Sequence, residues 1–374
     1  MLHSNEATEP AYDSERYTRA TVAESPSLLT NNLTAGPGTL AYVHDSQALM
    51  VPQERLLIGA RTEKLPILTK DGKRPIVATQ VKIVTIGQHS FFVLCTTEGV
   101  HFFDARGYDC LHYHGFEDQH DNSNGPGPVS IDGGGVVGFS AKGVCSSCSR
   151  DGHVQVCVGT ASGKVLVFEH DGVDRFNLTN ATLETNERCP SAACASEVDS
   201  RRGAFPSDCA LSLEQQCVVV TANECGTVTA WDALTSDKFQ LRCKVKRKGP
   251  VTGLAVRNRC VIIAETSGVV GFLSLKTENV FCEMQAHLRY LSAMDIHPNK
   301  DVFATVSEDG TIGVWSIGVE NDLNSKHINS SPAPTSVFAQ RWPDGMLTGV
   351  VFCGDGCDAL AVCAYDETEI CAWQ

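Results

Sequence analysis

Hydrophobic and polar positions alternate along this chain in short bursts, without the sustained 3.6-residue rhythm of long helices. The clearest stretch is residues 286–317, AHLRYLSAMDIHPNKDVFATVSEDGTIGVWSI. It holds three β-branched runs, Leu291–Ile296, Val302–Ser307 and 311–317, each of strand length and bounded by turn residues. Glu308-Asp309-Gly310 joins the last two, and its glycine supplies the positive φ of a tight hairpin.

That unit recurs. Residues 217–233 (CVVVTANECGTVTAWDA) place Gly226 where Gly310 stands, and Trp231 follows five residues later, as Trp315 does. Residues 260–275 (CVIIAETSGVVGFLSL) repeat the pattern around Gly268. The glycines at 226, 268 and 310 are two steps of 42 residues apart. Four-stranded propeller blades repeat every ~40–45 residues. Weaker copies lie at 40–51, at 91–104 around Gly99, at 156–168 around Gly163, and at 360–373 around Asp366-Glu367. First strands are predicted at 77–84, 136–141, 192–198, 251–256 and 346–352, among others.

The expectation is an all-β, seven-bladed propeller forming a single domain over residues 17–374. Its last unit stops after a third strand, so the fourth must come from elsewhere. Residues 17–23 (YTRATVA) alternate as a strand should and are predicted to close that blade, removing an open edge. Seven units use ~294 positions at this period. The surplus falls in a tail, 1–16, predicted to be disordered, and in insertions near 115–135, 184–208 and 319–336.

Composition narrows the function classes. Apolar residues make up 42% of the chain, too many for a disordered protein. No run approaches the ~18 apolar residues of a membrane-spanning helix, and the start lacks the apolar core of a secretory signal. Most of the 17 cysteines sit singly in apolar runs, as buried thiols of a reducing cytoplasm do. A net charge of −14 argues against nucleic acid and anionic membranes as partners. The one basic run, residues 244–248 (KVKRK), reads as a solvated strand end.

Two patterns resemble metal sites. Cys145 and Cys148 have zinc-knuckle spacing, but no second Cys/His pair follows, which leaves two free thiols in a loop. His112 and His114 share one strand face near Asp118 and His120, a pattern that an outer strand facing water also explains. There is no P-loop, G-x-G-x-x-G after a strand, H-E-x-x-H or G-x-S-x-G. No catalytic activity, cofactor or metal is expected.

Within 286–317, His287, Thr305, Asp309 and Trp315 match a WD repeat. Asn31-Asn32-Leu33, Thr79-Gln80-Val81, VCVGTASGKVLVFE, QAHLRYLSAMDI, SEDGTIGVW and AYDETEI extend the match in order along the chain. The chain thus resembles the WD-repeat (WD40) family, departing from it near 115–135 and 184–208. The resemblance implies that the four residues form a structural hydrogen-bonded tetrad, with the imidazole bridging a carboxylate and a hydroxyl. The unit at 217–233 keeps Thr221 and Trp231 but has Cys225 in the aspartate place. Phe168 and Phe272 are expected to replace the tryptophan elsewhere.

The resemblance also implies a non-enzymatic adaptor that binds other proteins; whether it self-associates the sequence leaves open. Its binding face would carry Arg289, Tyr290, Ser292 and Glu308, with Glu224, Pro250 and Thr252 as counterparts in neighbouring blades. The relatives with these divergent segments occur chiefly in organisms that build cilia or flagella. The alternative is therefore a structural subunit of a ciliary or flagellar axoneme.

Overall fold

The computed structural model describes residues 17–53, 63–65, 76–86, 89–116, 130–131, 135–136, 141–161, 163–181, 183–184, 193–196, 218–223, 225–257, 259–317, 333–342, 344–354 and 356–374. Seven antiparallel sheets follow one another along the chain as blades of a closed propeller. Blade 1 spans residues 34–64, blade 2 78–115, blade 3 141–184, blade 4 193–246, blade 5 251–285 and blade 6 291–341. Blade 7 combines 346–373 with Tyr17–Thr21, whose residues pair from Tyr17 opposite Trp373 to Thr21 opposite Glu369. The closing strand expected from alternation is in place. The tail 1–16 lies outside the described residues, as does most of each insertion.

Apolar alternation on both sheet faces makes this ring. Buried clusters fill the junctions between neighbouring blades: Ala41, Val43, Phe92 and Leu94 join blades 1 and 2, and Phe272, Leu291 and Phe303 join blades 5 and 6. The last junction, between blades 7 and 1, holds Ala20, Val22, Leu40, Tyr42, Ala361 and Ile370. Each buried aliphatic or phenyl side chain contributes ~1.5–3 kcal/mol relative to exposure. Stability is thus spread around the ring.

The 42-residue glycines do more than turn a hairpin. Gly226, Gly268 and Gly310 have φ of 79°, 80° and 75°. A Cβ on each would lie 2.3, 2.2 and 2.4 Å from the carbonyl oxygens of Gly249, His287 and Trp342, in the loops that lead into the next blade. Each glycine carbonyl accepts an amide from that loop: Arg247 N–H at 2.7 Å, His287 N–H at 3.1 Å and Trp342 N–H at 2.7 Å. Only glycine meets both the conformation and the close approach. In blade 7, Asp366 takes a comparable left-handed turn at φ 59°.

The inner strands share a second device. Each of blades 5, 6 and 7 has a bulge early in its inner strand, at Thr252, Ser292 and Thr348. A bulged residue leaves the ladder, so its carbonyl needs another donor. Asn31 and Asn32 supply all three. Asn31 Nδ2 donates to Thr252 O at 2.6 Å, Asn31 N–H to Ser292 O at 3.0 Å, and Asn32 N–H to Thr348 O at 2.9 Å. Asn31 Oδ1 also accepts Met294 N–H at 3.0 Å, with Asn31 itself at φ 53°. The segment leading into blade 1 therefore fastens the inner strands of three other blades.

Two expectations about strands need correction. The first strand of blade 3 is Ala141–Cys148, displaced from the expected 136–141. A bulge between Ala141 and Val144, with Gly143 at φ 85°, interrupts the alternation that the sequence reading relied on. At the tryptophan place of blade 5 stands Leu273, opposite Val261, where blade 6 has Trp315 opposite Phe303. Phe272 is one residue earlier, on the other face, whereas Phe168 does take the tryptophan place in blade 3.

Candidate interaction site on blades 5 and 6

His287 lies in the loop between blades 5 and 6, buried beneath the hairpin of blade 6. Its Nε2 meets Thr305 Oγ1 at 2.7 Å, and Trp315 Nε1–H donates to the same oxygen at 2.8 Å. On the other side, the expected contact with Asp309 is replaced. Nδ1 meets Thr311 Oγ1 at 2.7 Å, and Asp309 Oδ1 is 4.0 Å away. The Thr311 hydroxyl and amide both donate to Asp309, the amide at 2.9 Å. Thr311 turns the four-residue arrangement into a relay of five.

One proton assignment satisfies every member. Thr311 gives its proton to Asp309, so its oxygen accepts from His287 Nδ1–H. Nε2 then accepts from the Thr305 hydroxyl, whose oxygen accepts the indole N–H. The imidazole is neutral in this chain, and burial holds its pKa down at about 4, against a smaller opposing effect of Asp309. Burial works to raise the Asp309 pKa, but the donors from Thr311 outweigh it and the carboxyl is shifted down. The His/Thr/Asp trio is closed on itself and presents no free nucleophile–base pair.

Blade 5 solves the same problem with different chemistry. Arg247 stands where His287 stands one blade later, and Ile263 pairs with Gly271 as Thr305 pairs with Gly313. Arg247 Nε donates to buried Glu265 Oε1 at 2.7 Å, and Nη2 lies 2.9 Å from Glu283 Oε1. Gly271 makes room: a Cβ there would be 2.9 Å from the guanidinium. Gly313 does the same for the Trp315 indole, at 2.7 Å. In blade 4 the Trp231 Nε1–H to Thr221 hydrogen bond is kept, at 3.2 Å, with Cys225 exposed at the turn.

The expected binding residues divide into two groups. Arg289 and Pro250 are exposed, and Tyr290 and Glu308 are half-buried. Glu308 N–H donates to Tyr290 O at 3.0 Å, and Thr266 N–H to Pro250 O at 3.0 Å, so these loops repeat from blade to blade. Ser292 and Thr252 are instead buried at the bulges. The Ser292 hydroxyl donates to Val306 O at 3.1 Å and that of Thr252 to Ala264 O at 3.4 Å. Glu224 lies outside the described residues. The sequence reading passed over Leu288, which is 88% exposed between His287 and Arg289. It also passed over Thr311, Arg247 and Asn31.

The two metal-like patterns resolve into packing. Cys145 and Cys148 lie on the inner strand of blade 3, not in a loop, and both are buried. Cys145 packs with Cys157, Val165 and Val219, and Cys148 with Ala233 in a separate cluster. His112 and His114 lie on the outer strand of blade 2, but they face blade 3 rather than water. Each ring sits 5.7 Å from that of Phe168, and burial shifts the His112 pKa down. Among the described residues no group of three or more His, Cys, Asp or Glu could hold a metal ion.

The sequence profile of WDR54 matches residues 38–374, nearly the whole chain. The chain belongs to the WDR54 family. WD repeat-containing protein 54 of Homo sapiens is 23% identical over 322 residues, covering 84% of this chain and 85% of that protein. The Mus musculus protein of the same name is 22% identical over the same shares. Two solved structures share the fold. One chain of the crystal structure of the mitotic checkpoint complex has a TM-score of 0.65 at 13% identity, covering 100% of this chain and 98% of that one. The WD40 β-propeller domain of Doa1 has a TM-score of 0.58 at 12% identity, covering 96% and 97%. Membership of the WDR54 family and the WD40 propeller together support a protein-interaction scaffold.

Proposed function

We propose that the protein is a non-catalytic scaffold that binds other proteins in the cytoplasm through the loops on the hairpin side of its propeller. The observation that carries this reading is the closed relay of His287, Thr311, Asp309, Thr305 and Trp315. This constellation, which has a catalytic look, commits its protons to holding a loop and a hairpin together. A rigid ring with variable loops is suited to recognition. The surface carries net charge of −14, which favours protein partners over nucleic acid. No helix among the described residues is long and apolar enough to cross a membrane.

A second reading, a structural subunit of a ciliary or flagellar assembly, is favoured by where the insertions attach. Residues 197–217 join the inner and second strands of blade 4, and 318–332 lead from the third to the outer strand of blade 6. Both leave from the side opposite the hairpins, whereas 117–129 leave from the hairpin side after blade 2. Insertions on both sides suit a subunit wedged between neighbours.

Proximity labelling in ciliated cells, combined with salt extraction, tests the two readings. A scaffold gives a reproducible set of neighbours and a salt-soluble chain. An axonemal subunit stays with the axoneme through high salt. A freely diffusing monomer without specific neighbours contradicts both.

A further inference from the structure

A groove of about 500 Å³ opens beside the relay, where the outer strands of blades 5 and 6 end. Trp315 and Gly313 are part of its lining, Ala339 adds a small side, and Leu288 stands at its lip. Leu288 is 88% exposed, yet the backbone carrying it is pinned. The amides of Ala286 and His287 both donate to Gly268 O, and Gln285 Nε2 donates to Ser267 O and His287 O at 3.0 and 2.5 Å. A leucine held out on a rigid loop has already lost the backbone freedom that binding would otherwise cost.

Charge gives the groove a direction. The chain is strongly acidic, but Arg341 in the lining and the adjacent Arg289 are exposed and have no ion-pair partner among the described residues. Asp309 also lines the groove and is held anionic by Thr311. A ligand carboxylate is therefore drawn to the arginine end and repelled from the aspartate end.

We propose that this groove binds a short extended segment of a partner protein in which an apolar side chain is followed or preceded by a carboxylate. The apolar side chain lies between Leu288 and Trp315, the carboxylate meets Arg341, and a hydrogen-bond donor of the segment faces Asp309. The inference rests on the scaffold reading and gives it a partner chemistry.

The test uses the full chain and two fluorescein-labelled sets of twelve-residue peptides. One set flanks a central Leu, Ile, Phe or Met with glutamates, and the other replaces those glutamates with lysines. The expected result is saturable binding of the acidic set, at least ~10-fold tighter than the basic set. Leu288→Ala and Arg341→Glu each weaken it ~10-fold or more, and Arg341→Glu reverses the preference between sets. Both side chains are exposed, so unchanged melting temperatures show that the variants fold. Equal binding of the two sets, no saturable binding at about millimolar peptide, or unaltered affinity in both variants overturns the proposal. Neighbours in proximity labelling that persist in both variants would overturn the groove while leaving the scaffold standing. A wild-type chain without neighbours would remove the scaffold itself.

Discussion

Arg247 and His287 hold the same place in successive blades, each sending its backbone amide to the hairpin glycine of the blade before, at 2.7 Å to Gly226 O and 3.1 Å to Gly268 O. Their side chains then diverge: the guanidinium is neutralised by Glu265 and Glu283, whereas the neutral imidazole is hydrogen-bonded to two hydroxyls. Removing one member of the buried ion pair leaves a charge in the interior. Arg247→Met is expected to lose ~3–5 kcal/mol of stability, and adding Glu265→Leu should restore most of it. Urea denaturation of the single and double variants checks this, and a loss below ~1 kcal/mol in the single variant would contradict it.

Thr311 is the joint between the imidazole and the carboxylate. Thr311→Val keeps the shape but strips His287 Nδ1–H of its acceptor and Asp309 of a donor. A loss of ~1–3 kcal/mol is expected, while Thr311→Ser stays within ~0.5 kcal/mol of the wild type. Equal melting temperatures for the valine and serine variants would show that Asp309 reaches His287 without help.

Acid should weaken the ring before it protonates most carboxylates. Burial pushes both His101 and His287 down to about 4. An unfolded histidine titrates near ~6.5, so the unfolded chain binds the extra protons between these values. The stabilising effect of keeping these rings neutral is complete above pH ~6.5 and is lost progressively as pH falls toward 4, up to ~3 kcal/mol for each ring. His101 stacks on Phe103 and lies against Tyr113, and neither of its nitrogens has a hydrogen-bond partner among the described residues. His101→Phe should therefore flatten the dependence without harming stability at neutral pH. Urea midpoints that stay level between pH 7.5 and 4.5 in the wild type would rule this out.

Asn31 fastens blades 5 and 6 with its side chain and its left-handed backbone. Asn31→Gly keeps the backbone and removes two side-chain hydrogen bonds, for an expected ~1–3 kcal/mol. Asn31→Ala adds backbone strain and should cost ~1 kcal/mol more. If glycine is as stable as asparagine in thermal melts, the side-chain contacts carry no weight.

The ring was legible because its strongest signals are local and repeated. Gly226, Gly268 and Gly310 recur at one period since each must both turn and touch the next loop. The closing strand could be read because Tyr17–Thr21 alternates like an edge strand and the last unit lacked one. What escaped depends on distant or substituted partners. Nothing near Asn31 in sequence announces Met294, 263 residues away. Arg247 lay in a run whose other basic members are lysines, and its burial follows from Glu265 and from the space left by Gly271. The resemblance put Ser292 and Thr252 on the binding face, but a bulge at each, which nothing in the local sequence marks, turns them into the interior. Thr311 looked like an ordinary strand residue, and Leu288 stood outside every strand run, between His287 and Arg289.

The pairing of Tyr17–Thr21 with Glu369–Trp373 has a consequence for the birth of the molecule. Paired residues in this ladder lie up to 356 residues apart, from Tyr17 to Trp373. At ~5–20 residues per second, a ribosome needs on the order of 20–70 s to make the second strand after the first. Throughout that interval the first strand has no mate, and by its end six blades wait as an open arc with two bare edges. The nascent chain is thus at greatest risk of pairing with a neighbour until Glu369–Trp373 has been made, and a chaperone that shields the early strand would act on yield without touching the finished ring.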